Sequence, residues 1–199
     1  MDGLSNIALV AGLGWASGMR LYAVLFFLGV LHHAGLYTLP ENLSALAHPA
    51  VMAVSGLLFV TEFLADKVPG FDTLWDVVHT FIRIPGGALL AALAVASHDS
   101  GLAIAAGLLG GLIAAGSHFT KAGGRALINV SPEPFTNWTA SLSEDMLALA
   151  VLWSAIKYPL VLLAGLALFL VAALWLLPKL WRGIRRLLRA IGALYGGRA

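Results

Sequence analysis

The sequence predicts an all-α fold: a polytopic membrane helix bundle of about six membrane segments, with five as the alternative. Three observations carry that expectation. Of the 199 residues, 60% are hydrophobic and only 11% charged, against about 25% charged in ordinary soluble domains. Mean hydropathy is +0.89. The apolar residues also gather into runs near the ~20 needed to cross a ~30 Å hydrocarbon core, with prolines and short polar stretches between them. The chain has no cysteine, which excludes disulfides, thiolate metal sites and cysteine nucleophiles.

The first segment is residues 7–31. Asp2 and the lack of any Lys or Arg ahead of it argue against a cleaved signal peptide, which starts basic. The stretch GWASGMR places Arg20 in mid-segment beside Gly14, Ala16, Ser17 and Gly18, small residues that permit close helix packing. A polar link containing Pro40 and Pro49 follows, then a second segment at 50–65. The third, 71–96, has Pro85 in its middle and reads as a broken spanning helix. The fourth is 102–129, ended by SPEPFTNW with its two prolines. A last apolar run, 146–177, would extend roughly 48 Å as one helix. It is divided at Lys157 and Pro159 into segments five and six.

This arrangement gives a transmembrane helical domain over 1–178, with halves 1–100 and 101–178, and a basic amphipathic tail over 179–199. SGMR (17–20) resembles AGGR (122–125), and DKVP (66–69) resembles IKYP (156–159). Three spans per half would make an inverted repeat, a common transporter design. In the tail, Lys179, Arg182, Arg186 and Arg189 share one helical face. That face suits the inner leaflet, where each basic residue gains about 1 kcal/mol from anionic headgroups. The same bias places the C-terminus in the cytoplasm.

The charges between the ends are patterned. At 100° per residue, Asp72, Asp76, His79 and Arg83 fall within an arc of about 60°. Either this is an interfacial helix with its charges in water, or the stripe faces a cavity inside the membrane; the second reading is preferred. His118, Lys121, Arg125 and Asn129 form a matching, basic stripe. Glu62 and Asp66 share a face by their i,i+4 spacing. Glu144 and Asp145 open the fifth segment, where negative charge suits a helix N-terminus. An uncompensated charge at mid-bilayer costs about 2.5–3.5 kcal/mol even on lenient insertion scales, so such groups either pair or line a polar site.

The candidate substrate or ion pathway is therefore Arg20, Glu62, Asp66, Asp76, His79, Arg83, His118, Lys121, Arg125 and Glu133. A metal would call on Glu62, Asp66, Asp76 and His79, provided the fold assembles them. No catalytic set stands out: there is no phosphate-cradling glycine loop with lysine, no HExxH and no nucleophile elbow.

The stretches GWASGMRLYAVLF, EFLADKVPGFDTLWDVVHTFIRIPGGALLA, GSHFTKAGGRALINVSPEPFTNW and LPKLWR resemble the bacterial membrane proteins grouped as domain of unknown function family 4126. The resemblance covers nearly the whole chain. It implies a multi-span bacterial membrane protein and carries over no activity and no functional residue; the expected location is the bacterial cytoplasmic (inner) membrane.

The function expected from the residues is a small passive or ion-coupled transporter or channel, with a charged polar site between broken helices. The alternatives are an intramembrane lipid-phosphate-handling protein or enzyme, and a structural assembly protein. No cofactor is expected; a bound ion or lipid fits the stripes. The expected partners are membrane lipids, including anionic headgroups, and not nucleic acid. The run GLLGGLIAAG (107–116) offers a face for a homodimer or for a helix contact inside the chain.

Overall fold

The computed structural model describes residues 3–68, 70–97, 99–129 and 134–172, with 174, 175, 179 and 182. Among the described residues all regular structure is helical. In order come α1 (Gly3–His33), a 3-10 helix (Glu41–Ala47), α2 (Pro49–Ala65), α3 (Phe71–Val95), α4 (Ser100–Ile128) and α5 (Pro134–Lys157), then α6 (Pro159–Ala172). By length and composition α1, α3, α4 and α5 can each cross a membrane. The 3-10 helix and α2, bent by 68°, make a fifth if taken as one span. The chain divides into two compact units, 1–162 and 163–199. In the second, Lys179 Nζ lies 3.1 Å from the centroid of the Trp175 ring. Arg186 and Arg189 of the tail lie outside the described residues.

α1 is the centre of the first unit. Every residue from Ala8 to Val24 is buried, as expected of a helix that is apolar all round. Its small residues admit neighbouring backbones. A Cβ at Gly14 would strike the backbone of Gly110, and one at Gly18 would strike the carbonyl of Ala114. The glycine-rich run of α4 is thus used inside the chain, where Gly107, Gly110 and Gly111 face Ala92, Ala91 and Ala88 of α3. The surrounding helices turn Leu74, Val77 and Phe81 of α3, Leu108 and Leu112 of α4, and Met146 of α5 outward, the pattern of a lipid-facing surface.

The sequence reading makes the first segment a single crossing. The structure bends it. Arg20 has φ −149° and ψ 68°, outside the helical region, and divides α1 into two arms. The first arm runs antiparallel to α3: Val10 clusters with Ala91 and Val95, and Gly14 and Ser17 lie against Gly87. The second arm runs back in the opposite sense. Leu21 meets Gly86, and Leu21 and Leu25 line one apolar groove with Leu89 and Leu93 of α3 and Leu43 and Leu46 of the 3-10 helix. α2 then returns along this second arm, Met52 against Gly29, Gly56 against Phe26 and Phe59 against Phe27, and its last turn arrives at the bend. Backbone that leaves the helical ladder inside a membrane protein needs other partners. Here α4 supplies them to the turn before the bend: Ser117 Oγ donates to the Trp15 carbonyl at 2.8 Å, and Lys121 Nζ to the Met19 carbonyl at 3.5 Å.

Two other expected breaks fall differently. α3 continues through Pro85. The proline removes one amide donor, but Gly86 and Gly87 beside it let Leu21 and Ser17 of α1 pack close on both sides of the bend. α5 begins at Pro134 rather than at 146, because a proline in the first helical turn lacks only an N–H that would be unpaired anyway. The division near Lys157 and Pro159 is found where expected.

Because the arms of α1 oppose one another, both of its ends lie on the same side of the bundle. In this cysteine-free chain, Leu4→Cys and Leu36→Cys, introduced singly, should react with an impermeant maleimide from the same face of sealed vesicles. Labelling from opposite faces would mean that α1 crosses once.

Candidate functional site

The bend gathers the charged residues of five helices. α1 brings Arg20; the last turn of α2 brings Glu62 and Asp66; α3 brings Asp72, Asp76 and Arg83 from its first half. Lys121 and Arg125 come from the last two turns of α4, and Glu144 and Asp145 from α5. The short links between α2 and α3 and between α4 and α5 bring four helix termini to one place. Arg20, Glu62, Asp66, Asp72 and Arg83 have no exposed surface.

Arg20 is the most shared group. It pairs with Asp66, with Asp145 Oδ1 at 2.7 Å through Nε and with Glu144 Oε2 at 3.3 Å, and it donates to the Ser141 carbonyl at 3.1 Å. Arg83 bridges Glu62 and Asp76, the latter at 2.7 Å. Lys121 Nζ lies 3.1 Å from Asp66 and 3.4 Å from Asp76. Arg125 grips both oxygens of Glu144, at 2.9 and 2.8 Å, the bidentate geometry that suits guanidinium to carboxylate. It also donates to the Asp66 carbonyl at 3.1 Å. Asp72 closes the far end. Its Oδ1 accepts from the amides of Gly70 and Thr73 at 2.9 and 2.7 Å and from Asn129 Nδ2 at 2.8 Å.

The two stripes read from the sequence thus face one another across the α3–α4 contact and meet by direct ion pairs. The interfacial alternative is excluded for α3, whose charges point inward while Leu74, Val77, Val78 and Phe81 point out. The pairing is incomplete. Four cations (Arg20, Arg83, Lys121, Arg125) face six carboxylates (Glu62, Asp66, Asp72, Asp76, Glu144, Asp145). Six buried carboxylate oxygens of the cluster, Glu62 Oε2, Asp66 Oδ1, Asp72 Oδ2, Asp76 Oδ2 and both of Asp145, accept no hydrogen bond.

The histidines stand at the margin. His79 stacks on Trp75 at 4.2 Å between ring centroids; its Nδ1 lies 2.7 Å from the Trp75 carbonyl and its Nε2 3.1 Å from the Tyr22 hydroxyl. His118 sits between Thr80 Oγ1 at 2.7 Å and Arg83 Nη1 at 3.4 Å. The metal set of Glu62, Asp66, Asp76 and His79 is not assembled: among the described residues no group of three or more His, Asp or Glu could hold a metal ion. Glu62, Asp66 and Asp76 lie around the Lys121 ammonium, at 3.8, 3.1 and 3.4 Å, so a cation of the chain itself occupies the point they share. Glu133 lies outside the described residues.

Three members of the cluster escaped the sequence-based site. Asp72 lies at a helix start, where a carboxylate ordinarily caps. Glu144 and Asp145 are not at a helix start: α5 begins ten positions earlier, and both project into the cluster. Their i,i+3 and i,i+4 spacing from Ser141, which also touches Arg20, was the available signal.

A family model described as Domain of unknown function (DUF4126) matches residues 7–179. The chain belongs to this family. The match spans every member of the cluster and bears out the resemblance drawn from the sequence. No curated protein and no solved structure gives a match.

Removing one partner of a buried ion pair costs about 3–5 kcal/mol, because it strands the other charge. Arg20→Met should destabilise the detergent-solubilised protein on that scale. Combining it with Asp66→Asn should recover part of the loss, with a coupling energy of about 0.5–3 kcal/mol. Chemical unfolding followed by tryptophan fluorescence measures both.

Proposed function

We propose that this protein is a small membrane transporter or channel, passive or ion-coupled, whose site is the charged cluster at the bend of α1. One observation carries the reading: nine buried ionisable side chains and the part-buried Glu144, from five helices, gather around a non-helical residue, with more carboxylates than cations. Groups of this kind inside a membrane are costly, and those that persist mark ion and proton pathways. The cluster is also built at helix termini and at a bend, where helices shift or hinge without breaking a continuous ladder. The acidic members would bind a cation or relay protons, and the basic members would balance them.

The alternatives are less well supported. A lipid phosphate needs free donors, yet each of the four cations already lies within 4 Å of at least two carboxylates. A purely architectural cluster needs its charges to cancel, and six carboxylates do not cancel four cations.

Six crossings remain our reading of the topology, divided differently from the hydropathy pattern: the two arms of α1, α2, α3, α4 and α5. The first three would enter from one face and the next three from the other, the opposed sense an inverted repeat requires. At 1.5 Å per residue the first arm reaches roughly 25 Å from Gly3 to the bend, so the cluster lies within the membrane near the face opposite the N-terminus. The Lys/Arg-rich tail supports a cytoplasmic C-terminus in a bacterial inner membrane.

The test is flux in proteoliposomes, screening protons, sodium, potassium and small anions. Wild-type protein should pass one of these above the leak of empty vesicles, and Asp76→Asn, Arg83→Gln and Arg125→Gln should each return it to that leak. Unchanged flux in all three variants, each still monodisperse, would sink the proposal.

A further inference from the structure

The excess of carboxylates is not spread evenly. Glu144 is held by both arms of the Arg125 guanidinium. Asp66 faces Arg20, Lys121 and Arg125. Asp72 accepts three N–H donors and lies 3.8 Å from Arg125. Glu62 and Asp76 share Arg83, with Lys121 also in reach. Asp145 has Arg20 alone, a cation it shares with Glu62, Asp66 and Glu144. Neither of its buried oxygens accepts a hydrogen bond, since the Arg20 N–H beside Oδ1 is not aligned with it. Its side chain is also 12% exposed, whereas those of Glu62, Asp66, Asp72 and Asp76 are at most 1% exposed. It therefore joins the one carboxylate of the set that accepts no hydrogen bond to a route for exchange with the outside.

We propose that Asp145 is a proton-binding site, and that its proton is the ion to which movement through this protein is coupled. The charges facing it are unbalanced. Glu144 on its own helix and Glu62 and Asp66 on α2 add negative charge around it, and only Arg20 on α1 opposes them. Lys67, just past α2, also feels the Asp145 charge, but its ammonium is turned away onto the Phe63 carbonyl at 3.1 Å and the Phe63 ring. Neither His79 nor His118 makes an ion pair with a carboxylate among the described residues, so neither supplies the missing positive charge. A proton from the aqueous phase adds to the carboxylate and gives a neutral carboxyl; its departure restores the charge.

The position makes the event mechanical. Asp145 holds the Nε edge of Arg20, the one residue at which α1 leaves the helix. Protonation releases that edge and leaves Arg20 to Asp66 and Glu144, weakening the tie between α5 and the bend while strengthening the tie to α2. The proton-binding chemistry stands on the cluster alone. Its role in coupling rests on the transport reading above.

Infrared difference spectroscopy of the protein in lipid nanodiscs, titrated from alkaline to acid pH, tests this without any transported solute. The expected result is a protonated-carboxyl band that grows on acidification, is lost in Asp145→Asn and returns at an altered frequency in Asp145→Glu. Should Asp145→Asn fail to fold, wild-type protein carrying carbon-13 in the aspartate carboxyls must show the band shifted. No titrating band, a band that survives Asp145→Asn, or a band moved only by labelled glutamate would each overturn the inference. A titrating Asp145 in a protein with no flux would keep the proton site and remove its coupling role; flux without the band would remove the proton site and leave the transport reading standing.

Discussion

The fold depends on the burial of the Arg20 guanidinium. Its side chain has no exposed surface, and its partners are on α2 and α5. A lone guanidinium in an apolar interior would cost several kcal/mol, so the helix that carries it is stable only where carboxylates from other helices surround it. That requirement explains why α2 and α5 both bring acidic residues to one point, and why α1 gives up helical geometry there rather than elsewhere. The bend is therefore a tertiary feature: nothing local to residues 17–20 demands it, and α4 furnishes hydrogen bonds to the turn before it.

Packing and charge divide the work along α1. In the first arm, glycines at 12, 14 and 18 bring α5 and α4 to near backbone contact, and the attraction is dispersion over closely apposed surfaces. At the bend, the same neighbours meet through ions. The second arm is again apolar, its Val24 and Leu28 joined in one core with Leu39, Leu43 and Leu46. Close-packed apolar contacts thus flank a polar region on both sides. This arrangement suits rearrangement of the centre while the flanks keep register.

The sequence made much of this legible. Charges at helical spacing within apolar segments stand out because few soluble-style explanations exist for them, and the stripes on α3 and α4 fell where the pattern put them. The rest was hidden for definite reasons. Hydropathy placed the start of α5 at 146, since the stretch before it is polar; its polarity comes from Asn137, Ser141, Glu144 and Asp145, which turn inward onto Arg20 and Arg125. Six Lys and Arg residues lie between positions 20 and 157; Lys67 and Lys157 lie over the Phe63 and Trp153 rings, which leaves four for the cluster. The doubling back of α1 had no sequence signal, because a single arginine in an apolar run says nothing about where its partners will come from.

The order in which these partners are made has a consequence for biogenesis. Glu144, which Arg20 needs along with Asp66 and Asp145, lies 124 residues further along the chain. During synthesis the α2 carboxylates reach Arg20 first, and the pairing stays incomplete until α5 emerges. The oldest part of the nascent chain is thus the last to reach its final state. Chains cut short before α5 would leave Arg20 with its α2 partners alone, a half-built polar site open to the membrane's quality-control proteases.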